Sequence, residues 1–516
     1  MISDASHIFP RVTTPTLTRD NDQHRTWFAF ALPAVMALLL ALVPVMGKAA
    51  AGPFLIVLVP LVLWSAFRDT ERAIYVYIAW CWMDGTIRGL FDSNPVAIVA
   101  RDIALGVIVV GWGLQRLHSR SWDPLRFPPG SLLVALFVIN CLLQIANPFS
   151  PGLIQSIGGL KLHLAVPPLL FLAYDVFRRP AQVRSLLLFL TLATLVIGLV
   201  SLVQYIGGKD WTWAHFPGTK AVILQASHAT TPGGKIAEIA GFRPPGTTSI
   251  GGGVGTYIGS VFPLSFSLIM LSGRLGFSKK VRACLFGILM VFFIIMLINS
   301  VRSALVSAVV GVLLSGLLIG SHLRGRMLKA ILVCIGLAFI AWTYSEGLSQ
   351  GGVSDRFNST LSNPVNSLHE DRRTFFDDVS RIIVHAPMGV GLGRVGAAAA
   401  RLGSKNNDLG FTPFTEAYLG NIIFETGILG GILITAVTVG FILRGYFIMS
   451  KLQAPDERFL AVGIIAFLVV ILANFFLTPV LLGPPNSVLF WLLSGVVLRA
   501  FTTANTAPAK RIKGMT

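Results

Sequence analysis

Apolar runs of about 17–22 residues recur along the whole sequence, and that repetition leaves few folds open. About 20 residues of α-helix cross the hydrocarbon core of a bilayer, where every backbone N–H and C=O must be paired inside the protein. Fourteen runs are legible, at roughly 27–46, 51–67, 73–90, 97–114, 130–146, 158–175, 185–206, 252–271, 281–298, 303–320, 328–345, 418–442, 459–478 and 485–500. A 516-residue chain that is 54% hydrophobic and only 12% charged, with mean hydropathy +0.74, fits that pattern and not a soluble domain. The expected fold is an all-α polytopic membrane protein of about 14 transmembrane helices. Residues 1–26 are polar, and no small-residue cleavage site follows the first apolar run, so no cleaved secretory signal is expected.

Charge sets an orientation. With the N-terminus in the cytoplasm and the runs alternating, 25 of the 41 lysines and arginines fall in cytoplasmic segments, together with 9 of the 23 acids. Nearly all of the net charge of +18 then sits on one side, as the positive-inside rule requires. Both termini come out cytoplasmic. The same spread over many short loops excludes a nucleic-acid partner despite a pI near 10.2. The four cysteines, Cys81, Cys141, Cys284 and Cys334, all fall in apolar runs without metal-binding spacing and are expected to pack as small apolar residues.

The runs divide the chain into a cytoplasmic tail (1–26), an N-terminal bundle (27–206), a periplasmic loop (207–251), central helices (252–345), a larger periplasmic loop (346–417), C-terminal helices (418–500) and a cytoplasmic tail (501–516). Long loops of a membrane protein usually carry its function, so function is expected to face outward. In the larger loop Phe375, Phe376, Val379, Ile382 and Ile383 recur at helical spacing. They predict an amphipathic helix capped by Ser367 and stopped by Pro387.

Candidate chemistry starts from charges at the edge of the bilayer, where an ionisable side chain is a functional candidate by default. Arg302, in "NSVRSA", lies between two apolar runs with no carboxylate nearby in sequence. A guanidinium there suits a lipid-linked phosphate, which it binds bidentately without ever deprotonating. Arg243 begins "RPPGTTSIGGGVG", where a stiff Pro-Pro and a Gly-rich helix start favour an anion. Lys161, beside His163, reads equally as ligand contact or ion pair, whereas Arg88 and Arg101 read as ion pairs with Asp92 or Asp102. "GLGRVG" at 391–396, which holds Arg394, imitates a dinucleotide fingerprint but lacks the strand–helix context that such a site needs. The aromatic residues of "DWTWAHF" at 210–216 suit either stacking on sugars or an interfacial belt. No Asp-x-Asp-like metal motif is present, and no metal or cofactor is expected.

Four stretches in order resemble the O-antigen ligase and O-antigen/exopolysaccharide polymerase superfamily of bacterial membrane glycosyltransferases. They are "FRPPGTTS" with Arg243, "NSVRSA" with Arg302, "HAPMGVGLG" late in the large loop, and "EAYLGNIIFETGILGG" at 416–431, and the resemblance spans roughly residues 150–445. It implies an inner-membrane enzyme acting at the periplasmic face on a polyprenyl-diphosphate-linked oligosaccharide, with an acceptor glycan, and a flippase and a chain-length regulator as partners. Arg302 and Arg243 would hold the diphosphate. The family's histidine falls on Glu416, which would act as base, with His385 in reserve, and Lys161, Arg394 and Tyr418 would contact substrate. The departure at Glu416 tilts the expectation towards a polymerase rather than a ligase. A small-anion (bicarbonate-like) transporter remains as the alternative of a different class.

Overall fold

The computed structural model describes residues 16–92, 94–118, 127–221, 242–248, 253–272, 278–299, 301–319, 336, 379–394 and 417–502. Among these residues the chain forms helices and turns and no strand. The helices are α1 (Thr16–Met46), α2 (Ala51–Arg68), α3 (Thr70–Trp82), α4 (Asp84–Leu90), α5 (Pro95–His118), α6 (Ser131–Leu143), α7 (Leu153–Leu164) and α8 (Pro168–Val176). They continue with α9 (Pro180–His215), α10 (Gly253–Leu271), α11 (Lys279–Ile298), α12 (Arg302–Ile319), α13 (Tyr418–Ser450), α14 (Pro455–Asn474) and α15 (Asn486–Arg499).

Among the described residues, six helical segments are long and apolar enough to cross a membrane: Arg25–Arg68, Leu153–Val176, Pro180–His215, Gly253–Leu271, Lys279–Ile298 and Tyr418–Ser450. Shorter apolar helices lie at Ser131–Ala146, Ser303–Ile319 and Asn486–Arg499. The protein is thus an all-helical membrane protein. Many apolar side chains face outward, including Leu38, Ile56, Ile206 and Leu317, as a lipid-facing surface requires.

Several expected spans are interrupted. The run 73–90 is two helices, α3 and α4, hinged at Met83. The run 158–175 is split between α7 and α8 at residues 165–167. Pro167 and Pro168 explain the split, because a proline lacks the N–H and disfavours helix in the residue before it. The helix expected to end at 206 runs to His215, so the loop expected from 207 opens as helix after a break at Gly208 (φ 80°, ψ −178°). α13 carries a similar break at Gly427 (φ 76°, ψ 179°). The expected span 328–345 lies outside the described residues apart from residue 336. Of the expected amphipathic helix, 379–385 is helical and ends before Pro387, with Ile382 buried but Ile383 and Val384 exposed; its earlier part lies outside the described residues.

α10 is the hub of the bundle. Of its membrane-spanning stretch 83% is buried, against 39% for Arg25–Arg68 and for Lys279–Ile298. It packs against α9, α11, α12 and α14. Lipid offers no hydrophobic drive for helices to associate, so small residues that allow close backbone approach take over. A Cβ on Gly259 would stand 2.5 Å from Ala304 O, and one on Gly463 2.8 Å from Ser267.

Gly259→Leu should therefore lower the melting temperature of the detergent-purified protein, at a cost of about 1–3 kcal/mol. Gly106→Ala, where nothing lies within 4 Å of the new methyl, should leave it unchanged. Equal melting of the two variants would contradict a close α10–α12 contact.

Candidate functional site

The break in α13 shapes the first half of the site. Gly427 turns the helix out of register and frees carbonyls that would otherwise be bonded within it. The loop 386–394, "APMGVGLGR", fills that gap. Val390 N donates to Phe424 O at 2.9 Å, and Ile428 N donates to Pro387 O at 3.0 Å. Asn140 Nδ2 donates to Thr426 O at 3.1 Å, Gln144 Nε2 to Met388 O at 2.8 Å, and Asn147 Nδ2 to Gly389 O at 3.0 Å. Gly389, Gly391 and Gly393 all have φ between +82° and +87°, a region open to glycine at no steric cost. A Cβ on Gly393 would collide with the Gln155 carbonyl, so this loop needs glycine for space as well.

Two residues before the break, Glu425 is fully buried. One of its oxygens accepts Gly393 N at 2.9 Å, and the other lies 2.7 Å from His163 Nε2. His163 is itself buried, next to the end of α7. With Glu425 ionised and the proton on Nε2, both carboxylate oxygens accept, and a loop, a half-helix and a broken helix are tied to one side chain.

The second half of the site lies around α4. Arg88 Nη2 pairs with Asp84 Oδ2 at 2.7 Å, and Arg101 Nη1 approaches Asp84 Oδ1 at 3.3 Å. Arg101 Nη2 also pairs with Asp102 at 3.1 Å, and Lys161 Nζ reaches Asp102 at 2.5 Å. Three cations thus face two carboxylates. Lys161 and His163 are two positions apart on α7, so that helix joins the two halves. The Arg243 stretch docks on the same small helix. Gly85 N and Thr86 N donate to Thr247 O at 2.9 and 3.3 Å, and Thr247 Oγ1 donates to Trp82 O. Gln204 on α9 fixes Gly246 with a pair of bonds of 2.7 and 3.0 Å. Pro217 and Gly218, just past α9, press against Gly89 at the other end of α4. Around this junction Thr86 Oγ1, Arg88 Nε, Trp213 Nε1 and Arg243 Nε are buried without a hydrogen-bond partner among the described residues.

Of the residues singled out from sequence, Arg88, Arg101, Lys161 and the Arg243 stretch meet this assembly. The start of α12, which carries Arg302, packs beside the first turn of α10: a Cβ on Gly255 would stand 3.0 Å from Asn299 and 3.4 Å from Val301. Gly246 of the Arg243 loop abuts Val254 in the same turn, so the backbones of the two arginine stretches converge there. The Arg302 side chain and all of Glu416 lie outside the described residues. Arg394 braces the glycine loop by donating to Phe149 O at 2.9 Å. Tyr418 is buried with its ring 5.0 Å from Phe475, and His385 is exposed at the end of its short helix. Arg88 pairs with Asp84 rather than Asp92, which instead binds Lys48 at 2.7 Å. Sequence reasoning missed Asp84 as a shared carboxylate and gave Glu425 and His163 no partner; their separation by 262 positions leaves no local signal. Among the described residues no three His, Cys, Asp or Glu side chains are grouped to hold a metal ion. Neither a protein-family model nor a curated protein matches the chain.

Glu425→Ala strips His163 Nε2 and Gly393 N of their shared buried acceptor and should cost about 1–3 kcal/mol of stability. His163→Ala should cost less in that background than alone, with a coupling of about 0.5–3 kcal/mol in unfolding measurements on the purified protein. Strict additivity would contradict a direct pair.

Proposed function

We propose that the protein is a membrane glycosyltransferase that polymerises polyprenyl-diphosphate-linked oligosaccharide repeat units into exopolysaccharide or O-antigen. It would act at the periplasmic face of a bacterial inner membrane, in a fourteen-span topology with both termini cytoplasmic. The observation that carries this reading is the donor-rich junction at α4. Among the described residues, buried N–H groups of Arg88, Arg243 and Trp213 lack partners there, in a network that holds one more cation than carboxylates. A diphosphate supplies the acceptor oxygens and negative charge that such donors need. The resemblance of "FRPPGTTS", "NSVRSA", "HAPMGVGLG" and "EAYLGNIIFETGILGG" to the ligase/polymerase superfamily supports the same substrate.

In this mechanism the acceptor hydroxyl oxygen attacks the anomeric carbon. The carbon–oxygen bond to the diphosphate breaks, and polyprenyl diphosphate leaves with inversion. Arg243 and Arg302 stabilise the charge that develops on the leaving group, with the α4 cations behind them. Glu416 takes the proton of the hydroxyl. A ligase would run the same donor chemistry towards lipid A core.

One observation favours a second reading, a small-anion transporter. Two interrupted helices, α7–α8 and α13, place the buried His163 and Glu425 beside their breaks, and transporters build midplane sites from discontinuous helices.

A deletion strain carrying Arg243→Ala or Arg302→Ala at matched membrane abundance separates these readings by gel analysis of its surface glycan. A polymerase predicts that only single repeat units remain. Polymer that persists unattached to lipid A would assign a ligase. Unchanged glycan would reject the diphosphate clamp and turn the question to anion uptake.

A further inference from the structure

Away from the α4 network, α2 ends, α3 begins and α5 and α8 end around a cleft of about 340 Å³. Its charged walls are Arg68, Arg116 and Arg178 with Asp69, Glu71 and Asp175. The carboxylates are engaged in holding the walls together. Asp69 caps α3 by accepting Glu71 N and Arg72 N at 3.0 and 3.4 Å, and pairs with Arg72 at 3.1 Å. Asp175 accepts Trp112 Nε1 at 2.9 Å and pairs with Arg116 and Arg178, both at 2.7 Å. One Glu71 oxygen accepts Gln182 Nε2 at 2.7 Å and pairs with Arg25 at 3.2 Å. Burial pushes the Glu71 carboxyl above its ordinary range, against the opposing pull of Gln182 and Arg25. Counting Arg25 and Arg72, five arginines stand against three carboxylates.

Beside the cleft the surface is apolar. α2 and α5 touch backbone to backbone where Gly111 meets Ala66. On these two helices Trp64, Phe67, Leu114 and Leu117, close in sequence to the lining residues, are 45%, 52%, 43% and 69% exposed. Indole rings settle at the headgroup level of a membrane, and basic pockets between helices on the cytoplasmic side bind anionic headgroups. Both Trp64 and Trp112 have an arginine over the ring, Arg72 at 6.0 Å and Arg116 at 5.8 Å.

We propose that this cleft binds the phosphate of an anionic phospholipid headgroup, whose acyl chains lie along the exposed apolar side chains of α2 and α5. The site is separate from the donor junction and stands whether or not the glycosyltransferase reading does. Its size falls at the lower end of the roughly 300–1,000 Å³ of small-molecule sites. Guanidinium groups already oriented by Asp175 meet a phosphate with little further loss of side-chain freedom.

Native mass spectrometry of the detergent-purified full chain, titrated with phosphatidylglycerol or phosphatidylcholine, tests this. Phosphatidylglycerol should bind about 10- to 30-fold more tightly, and Arg68→Gln/Arg178→Gln should remove that preference. Lys451→Gln, an exposed cation outside the cleft, should keep it. If the double variant melts lower than the wild type, Arg68→Gln alone, on an exposed side chain, decides the matter. Equal binding of the two lipids, or equal losses in the cleft variants and Lys451→Gln, would overturn the proposal. Displacement of the lipid by equimolar inorganic phosphate would overturn the lipid assignment in favour of a free-phosphate site.

Discussion

A chain in lipid cannot leave backbone polar groups unpaired, and this protein interrupts several of its apolar helices. Three of the interruptions are answered by particular partners. The break at Gly427 is filled by the loop 386–394 and by Asn140 and Gln144. The hinge at Met83 is closed by Thr247, which accepts from Gly85 and Thr86 and donates to Trp82. The turn at Gly208 is bridged by Thr212 Oγ1, which donates to Gly208 O at 2.7 Å. At Gly427 and Met83 the unwound backbone is buried in protein, whereas the break at Gly208 lies among exposed residues.

The same interruptions position charge. A continuous helix keeps its own carbonyls and amides bonded, whereas a broken one exposes them to side chains and loops. Glu425 beside one break ties His163 to Gly393. The hinge between α3 and α4 puts Asp84 where Arg88 and Arg101 share it. Lys161 and His163, two positions apart on α7, belong one to each cluster. The ionisable groups thus form two clusters joined through α7. Such an arrangement keeps several cations in place at the cost of few carboxylates, the balance that an anionic substrate group needs.

Hydropathy made the class of fold legible, because runs of about 20 apolar residues leave no soluble alternative. It did not reveal the breaks. A window averages across a single glycine, so Gly427 inside "FETGILGG" reads as an ordinary residue of an apolar run, whereas Gly208 falls just past the run ending at 206, where a loop and not a second helical segment is expected. The Pro167–Pro168 pair carries a local signal, since proline ends a helix by its own chemistry, yet the expected span 158–175 runs straight through it. Arg243 could be singled out because "RPPG" is locally unusual. The partners of Arg88 were half visible: an aspartate nearby was expected, yet the helical i,i+4 neighbour Asp84 proved the right one. The pairing of His163 with Glu425 and the docking of Thr247 on α4 join segments far apart in sequence, and only the packed bundle decides them.

The central claim is that this polar core serves a polyprenyl-diphosphate-linked glycan. The purified protein in nanodiscs, supplied with that donor and an acceptor glycan, tests it most directly through the release of polyprenyl diphosphate. The account predicts release coupled one-to-one to growth of the acceptor by whole repeat units. No release, with the donor recovered intact and a labelled small anion accumulating in proteoliposomes of the same protein, would contradict it.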